Sequence, residues 1–262
     1  MRLSFLVMSF LLLLSCCKVK EAPLQQEVTA NADYTAMVET FLEKTRKGQD
    51  TKTVRMQLAG ASVNALEEEL KTDAQRYAFW VNFYNAYIIT ILKENPELYE
   101  DKGDFFTRDQ IPIAGETVSF DFIEHGILRK SQWKLGLGYF RKWFPSKLER
   151  TLRVNKRDYR IHFALNCGAK DCPPVAVYTP GRIAEQFEKG SKAYLLKTTK
   201  IENGGDKGLV TPLFRWFRGD FGSKGGSKKI LQSHGIISST KGISINYLGY
   251  DWTLDIDNFI DL

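Results

Sequence analysis

The chain has 262 residues, 43% hydrophobic, 26% charged and 13% aromatic, an ordinary globular composition that excludes a disordered or fibrous protein. Its four cysteines are too few for a disulfide-built scaffold. A net charge of +6, from 37 basic and 31 acidic residues spread along the chain, lacks the basic stripe of a nucleic-acid binder.

Residues 1–17, MRLSFLVMSFLLLLSCC, place Arg2 before the apolar run Leu3 to Leu14. That run is shorter than the roughly 20 residues that cross a bilayer, so residues 1–15 read as a secretory signal. Leu13-Leu14-Ser15-Cys16 resembles a bacterial lipobox, with cleavage before Cys16 and a lipid on its thiol. Cys17 is the alternative acceptor, and a plain signal peptide is the alternative to lipidation. The expected location is the bacterial cell envelope. No acidic residue follows Cys16, which is compatible with the outer membrane, facing the periplasm. Residues 16–33 are polar and aperiodic and read as a flexible tether.

From residue 34 the pattern is that of one α+β domain running to 262. Tyr34, Met37, Val38, Phe41 and Leu42 share a helical face that Gly48 ends, and Val63, Leu66 and Leu70 mark a shorter helix. Thr72 and Gln75 fit a capping box that opens a helix to about Lys93. Tyr77, Trp80, Val81, Phe83, Tyr84, Tyr87, Ile88 and Ile91 surround it, which predicts a buried central helix. Residues 97–118 predict loop with short strands, and Ser119 to Arg129 a short helix. Asp158 to Asn166 alternates, with Tyr159, Ile161, Phe163 and Leu165 on one side, and predicts a half-buried strand. Thr179-Pro180 opens a further helix, Thr211 to Phe221 is a short aromatic helix, and Gly222 to Gly226 is a loop. Ile243 to Leu262 is strand or extended. Helices before and after one strand segment argue for a small, mainly antiparallel sheet.

Polar residues inside apolar elements are the chemical candidates, because unpartnered burial is costly. Asn82 and Asn85 lie three apart on the central helix. They either hold buried backbone or serve a site as an oxyanion donor or an orienting amide. Among the three histidines, His125 shares a helix face with Arg129, His162 shares a strand face with Asn166, and His234 looks incidental. Cys167 follows Asn166, so thiolate, imidazole and amide are at hand for a thiol nucleophile site. Cys167 and Cys172 also suit a small disulfide in an oxidising compartment. His162, Cys167 and Cys172 match no common zinc module, and no cofactor or metal is expected.

AFWVNFYNAY (78–87), FIEHGILR (122–129) and IHFALNCGAKDCPPVAVYT (161–179), with FRWFRGDFG (214–222) and YDWTL (250–254) more weakly, make the chain resemble the DUF547 family, its core match spanning about 70–200. Function in that family is unknown. The resemblance places the first cysteine of the NCG…CP stretch and the histidine of the IEH stretch in the family core. It thereby implies Cys167 as nucleophile and His125 as base, with Glu124 and His162 as alternative partners. The second cysteine is often serine in plant members, and Asp171 stands where many bacterial relatives have serine. By analogy the domain is similar to permuted papain-like or transglutaminase-like thiol folds. The expected reaction is acyl transfer or hydrolysis at peptide or cell-wall amides or esters, with the membrane reached through the N-terminal lipid. The rival expectation is a non-catalytic binding or assembly module in which these side chains are structural.

Overall fold

Thr72 starts the longest helix. Its hydroxyl accepts from Gln75 N at 3.3 Å while Gln75 Oε1 accepts from Thr72 N at 3.0 Å, the reciprocal cap the sequence predicts. The structure, a computed structural model, describes residues 33–262, so the signal segment 1–15, Cys16, Cys17 and nearly all of the tether lie outside the described residues. In chain order the first helices are α1 (Tyr34–Arg46), α2 (Lys52–Ala59), α3 (Val63–Glu69) and α4 (Asp73–Glu94). Helix α4 is buried on all sides, as its all-round apolar sequence requires. Against it α1 packs Val38, Phe41 and Leu42, with the Phe41 and Tyr87 rings edge to face at 5.1 Å. The carboxylate of Glu69 on α3 accepts from Tyr34 N at 2.6 Å and Thr35 N at 2.8 Å, supplying orphan donors of the first turn of α1 with an acceptor. Helix α2 was not anticipated, since it buries only Val54 and Leu58.

A 3-10 turn (Pro96–Tyr99), α5 (Lys102–Thr107) and the antiparallel pair β1 (Ile111–Ile113) and β2 (Glu116–Val118) follow. A π-helical segment (Phe122–Leu128) occupies the predicted short helix, and α6 (Lys147–Leu152) follows an irregular aromatic stretch. The predicted strand at 158–166 is instead a 3-10 turn, Tyr159–Phe163. Alternation misled there because both faces are buried: Ile161 joins the core around α4, Phe163 joins a second apolar cluster, and His162 and Ala164 are covered too. Asp158 also caps the turn by accepting from Arg160 N at 2.9 Å.

Helix α7 (Ile183–Thr198) starts three residues after Pro180, because Gln186 takes up the backbone of Thr179 N and Val177 O, both within 2.9 Å. Strands β3 (Lys200–Glu202) and β4 (Lys207–Val210) form a hairpin, and β5 (Ser244–Tyr247) joins β4 in parallel, so the two small sheets are mainly antiparallel. Between them lie α8 (Leu213–Trp216) and α9 (Ser223–Ser233). The predicted loop Gly222 to Gly226 is largely the first turn of α9. A Cβ on Gly226 would sit 1.8 Å from the Phe221 carbonyl oxygen, so glycine there permits close backbone approach rather than flexibility.

The C-terminal segment runs extended along the core. Asp255 N donates to Gly168 O and Val175 N to Asn258 O, both at 2.8 Å, strapping the Cys167–Cys172 loop in place. The elements make a single α+β fold with α4 at its centre and the second cluster, around Phe163, Phe214, Phe221 and Leu231, beside it.

Candidate functional site

A cavity of about 510 Å³ lies where the two apolar clusters meet, lined by Tyr84 and Leu165 from one and by Leu213, Trp216 and Phe217 from the other. Glu124, His125, His162 and Cys167 all face it, brought together from two separate stretches of chain. Asn82 and Asn85 do not line it.

The π-helical segment aims Asp121, Glu124 and His125 at this space. Its wide turn is closed by Arg129 N donating to Glu124 O, five residues back, at 2.8 Å. Gly126 lets the buried Glu149 side chain pass: a Cβ there would stand 3.1 Å from Glu149 Cδ.

His125 Nδ1 lies 2.8 Å from a guanidinium nitrogen of Arg129. Guanidinium only donates, so Nδ1 is an acceptor and the proton of neutral His125 rests on Nε2, on the side of Asp121 Oδ1 at 3.6 Å. Burial, and then the Arg129 charge, hold its pKa well below the ordinary histidine value. A helix face shared by these two residues was legible in the sequence; the direct contact fixes His125 as a neutral ring at the cavity wall, its proton on the Nε2 side beside Asp121.

His162 is arranged the other way. Its Nε2 lies 2.8 Å from Asp220 Oδ2, and its ring stacks on Phe217 with centroids 3.9 Å apart. Burial lowers its pKa to about 4, against the opposing pull of Asp220, so the ring is neutral near pH 7. With Nε2–H donated to the carboxylate, the lone pair is on Nδ1. Asp220 also accepts from Arg129 Nε on Oδ2 and from Arg157 on Oδ1, both at 2.7 Å. Burial alone would raise the Asp220 pKa, but His162 and then the Arg129 guanidinium hold it well below the usual carboxylate range.

Burial pushes the Glu124 carboxyl up to about 7, with Asp121 adding to the rise and Arg129 opposing it. A carboxyl that titrates near neutrality can take or give a proton at physiological pH. Asp121 is raised by burial, while Lys134, 2.5 Å away, works in the opposite direction.

Cys167 and Cys172 are joined, with an S–S distance of 2.06 Å. Of the three roles the sequence leaves open, this structure holds the disulfide, so Cys167 is not a free thiol in this state. The zinc set is not assembled: both sulfurs are bonded to each other and His162 Nε2 is on Asp220. Among the described residues no group of three or more His, Cys, Asp or Glu is placed to hold a metal ion. Cys167 is half-buried at the cavity and Cys172 is buried behind it. The Tyr250 hydroxyl lies 3.5 Å from one sulfur and 3.3 Å from the other.

The asparagines explain how this loop is held. Asn85 donates to Ala164 O and accepts from Asn166 N, both at 2.9 Å. Asn166 in turn donates to Pro173 O and accepts from Gly168 N, both at 2.8 Å. Asn82 makes the same paired contact with Tyr178, at 2.7 and 2.9 Å. Both helix asparagines therefore hold neighbouring backbone from α4, one of the two roles open to them from sequence. Gly168, at φ +83°, holds a left-handed backbone conformation that a side chain would strain, and a Cβ there would also push Leu92 Cδ1, 2.8 Å away. Asp171, doubtful by family pattern, accepts from Asp251 N at 2.7 Å and so serves the C-terminal strap. His234 lies away from the cavity, beside Glu188.

Asp220, Arg157, Asp121 and Tyr250 were not among the sequence candidates. The available signal was FRGDF, an acid and an arginine enclosed by aromatics, read from sequence as part of a short helix and as a weaker part of the family resemblance, with no role given to its acid. A family model described as "Protein of unknown function, DUF547" matches residues 68–195. No curated protein and no solved structure matches the chain.

Proposed function

Starting from a chain whose residues 68–195 match the model of DUF547, a family of unknown function, we propose that the cavity is an acyl-handling thiol site, closed while Cys167 is bonded to Cys172 and opened by a thiol reductant. The observation that carries this is the convergence of Cys167, His162, His125 and Glu124 on one cavity. Reduction by an external thiol passes two electrons to the disulfide and leaves two thiols. The Cys167 proton goes to His162 Nδ1, and Asp220 stabilises the resulting imidazolium, as the carboxylate does in other triads. The thiolate adds to the carbonyl carbon of an amide or ester. His125 Nε2–H and protonated Glu124 supply donors for the developing oxyanion. Collapse expels the amine or alcohol, which takes the imidazolium proton, and water then hydrolyses the thioester.

In the same proposal the chain is held at the bacterial envelope, on the outer membrane facing the periplasm, by a lipid on Cys16. The run Leu13-Leu14-Ser15-Cys16 supports this. Cys16→Ser is expected to abolish lipid labelling of the chain and to make its membrane association removable by high salt. Lipid on neither Cys16 nor Cys17 would end the lipoprotein reading.

The thiol site is tested by alkylation and mass spectrometry of the native chain, with and without reductant. After reduction Cys167 is expected to alkylate faster than Cys172, and the advantage is expected to shrink in His162→Ala. A second reading, a non-catalytic binding module, is favoured by the bonded sulfurs themselves. It predicts that reduced Cys167 reacts no faster than an ordinary exposed thiol.

A further inference from the structure

The stretch from Trp133 to Leu148, which follows the π-helical segment and ends in the first turn of α6, leaves a large apolar surface in water. Trp143 and Phe144 are 88% and 92% exposed, and Trp133, Leu135, Leu137, Tyr139 and Phe140 are exposed with them. Such a patch on a soluble surface marks an interaction site. This loop is built rather than slack. Trp133 N donates to Phe140 O at 2.9 Å, Lys142 N to Ser131 O at 2.8 Å, and Gly219 N to Leu137 O at 2.8 Å. Gly138 is pressed against Asp220, where a Cβ would meet Oδ1 at 2.6 Å, so the base of the loop is tied to the buried charge network while its apolar side chains point outward.

Charge selects the occupant. Between Trp133 and Leu148 stand Lys134, Arg141, Lys142 and Lys147 and no acidic residue. Lys134 and Lys142 pair with Asp121 and Glu149, whereas Arg141 and Lys147 form no ion pair among the described residues. Arg141 also lines a second, polar cavity of about 360 Å³ in which Arg129, Lys130, Lys156 and Arg157 outnumber the acids Asp158 and Asp220, although Asp220 already pairs with Arg129 and Arg157. A two-fold contact with a second copy would set these cations against each other. Exposed Trp, Tyr and Phe interleaved with Lys and Arg match the acyl boundary and the anionic headgroups of a bilayer.

We propose that this loop seats the domain on an anionic lipid surface, Trp143 and Phe144 entering the acyl boundary and the Arg141 cavity facing headgroup phosphates. Lys134, Leu135 and Leu137 also line the 510 Å³ cavity, so that site opens beside the membrane. The docking is independent of thiol chemistry and of any lipid on Cys16. No helix among the described residues is long and apolar enough to cross a bilayer, so the contact is peripheral.

The test is fractional quenching of tryptophan fluorescence in the full chain, reconstituted with vesicles of brominated phosphatidylcholine, with or without phosphatidylglycerol. The N-terminal segment is common to every variant, so differences belong to the loop. Quenching is expected to deepen with phosphatidylglycerol. Trp133→Phe/Trp143→Phe is expected to lose the larger part of it, and Arg141→Glu/Lys147→Glu to lose its dependence on phosphatidylglycerol. All four positions are exposed, and unchanged circular dichroism would verify that these variants fold. Equal quenching of wild type and the double phenylalanine variant would overturn the proposal, as would a lipid-free dimer that shields Trp143.

Discussion

His162 and Asp220 stand 58 positions apart in the chain and meet at 2.8 Å, the imidazole donating to a carboxylate that two arginines also grip. The pair joins the turn at Tyr159–Phe163 to the segment after α8, and through Arg129 it reaches His125. Structure and proposed chemistry therefore share one buried network.

Removing the carboxylate should expose that dependence. Asp220→Asn keeps the volume but leaves Arg129 and Arg157 without their counter-charge. Breaking one side of a buried ion pair costs about 3–5 kcal/mol. Urea denaturation should show the unfolding free energy falling by that order, as a lower midpoint with an unchanged slope. A loss below about 1 kcal/mol would mean that solvent already screens the network.

The acid limb of the stability profile should carry two opposite slopes. His162 has a folded pKa of about 4 against an unfolded value of 6.5, so its contribution is complete above pH 6.5 and falls away as pH drops toward 4. Glu124 is raised from 4.5 to about 7, so the folded state binds more protons than the unfolded chain across that window. Its contribution is therefore present below pH 4.5 and is lost as pH rises to 7. Glu124→Gln removes that second slope. Its stability relative to wild type should rise steadily from pH 4.5 to 7 and then level. A constant difference across that range would show that Glu124 titrates at its ordinary value.

Asn85→Leu leaves Ala164 O and Asn166 N unpaired in the core, at an expected cost of about 1–3 kcal/mol. Because Asn85 and Asn166 together position the Cys167–Cys172 loop, the same variant should speed reduction of the disulfide by an external thiol. Asn82→Leu should cost a similar amount without that acceleration, since its partner is Tyr178. Equal reduction rates for both variants would show that Asn85 holds no part of the loop's redox access.

These contrasts explain what could be read from sequence. Helix α4 was legible because its cap and its all-round apolar surface are local signals, recorded within a few residues of one another. The turn at Tyr159–Phe163 was not, because period-two alternation implies a strand only where one face is wet, and here both are covered. Glycines 222, 225 and 226 looked like loop, although packing against Phe221 makes one of them a requirement of α9. In the site, Glu124, His125, His162 and Cys167 were visible as residue types on quoted motifs. Asp220 lies on such a motif too, but its role as a hub was not legible, since no periodicity links it to positions 129, 157 and 162. The Cys167–Cys172 spacing suits a nucleophile with a neighbour as well as it suits a bond, and sequence cannot rank the two.

The state of His125 offers the last test. Arg129 donates to Nδ1, which fixes the Nε2–H tautomer, and its charge adds to burial in holding the ring neutral. Nitrogen-15 spectra of the imidazole should show that tautomer at pH 7, with His125 still neutral at the pH where an ordinary histidine is half protonated. Arg129→Met keeps an unbranched apolar stem but removes both the donor and the charge. The His125 pKa should then move upward, toward its ordinary value, and the ring should sample both tautomers. Asp220 loses one guanidinium in this variant but keeps Arg157 and His162, so the folded fraction remains measurable at moderate pH. If His125 keeps a single Nε2–H tautomer and an unchanged pKa in Arg129→Met, burial rather than the arginine governs it, and a donor role for His125 no longer depends on Arg129.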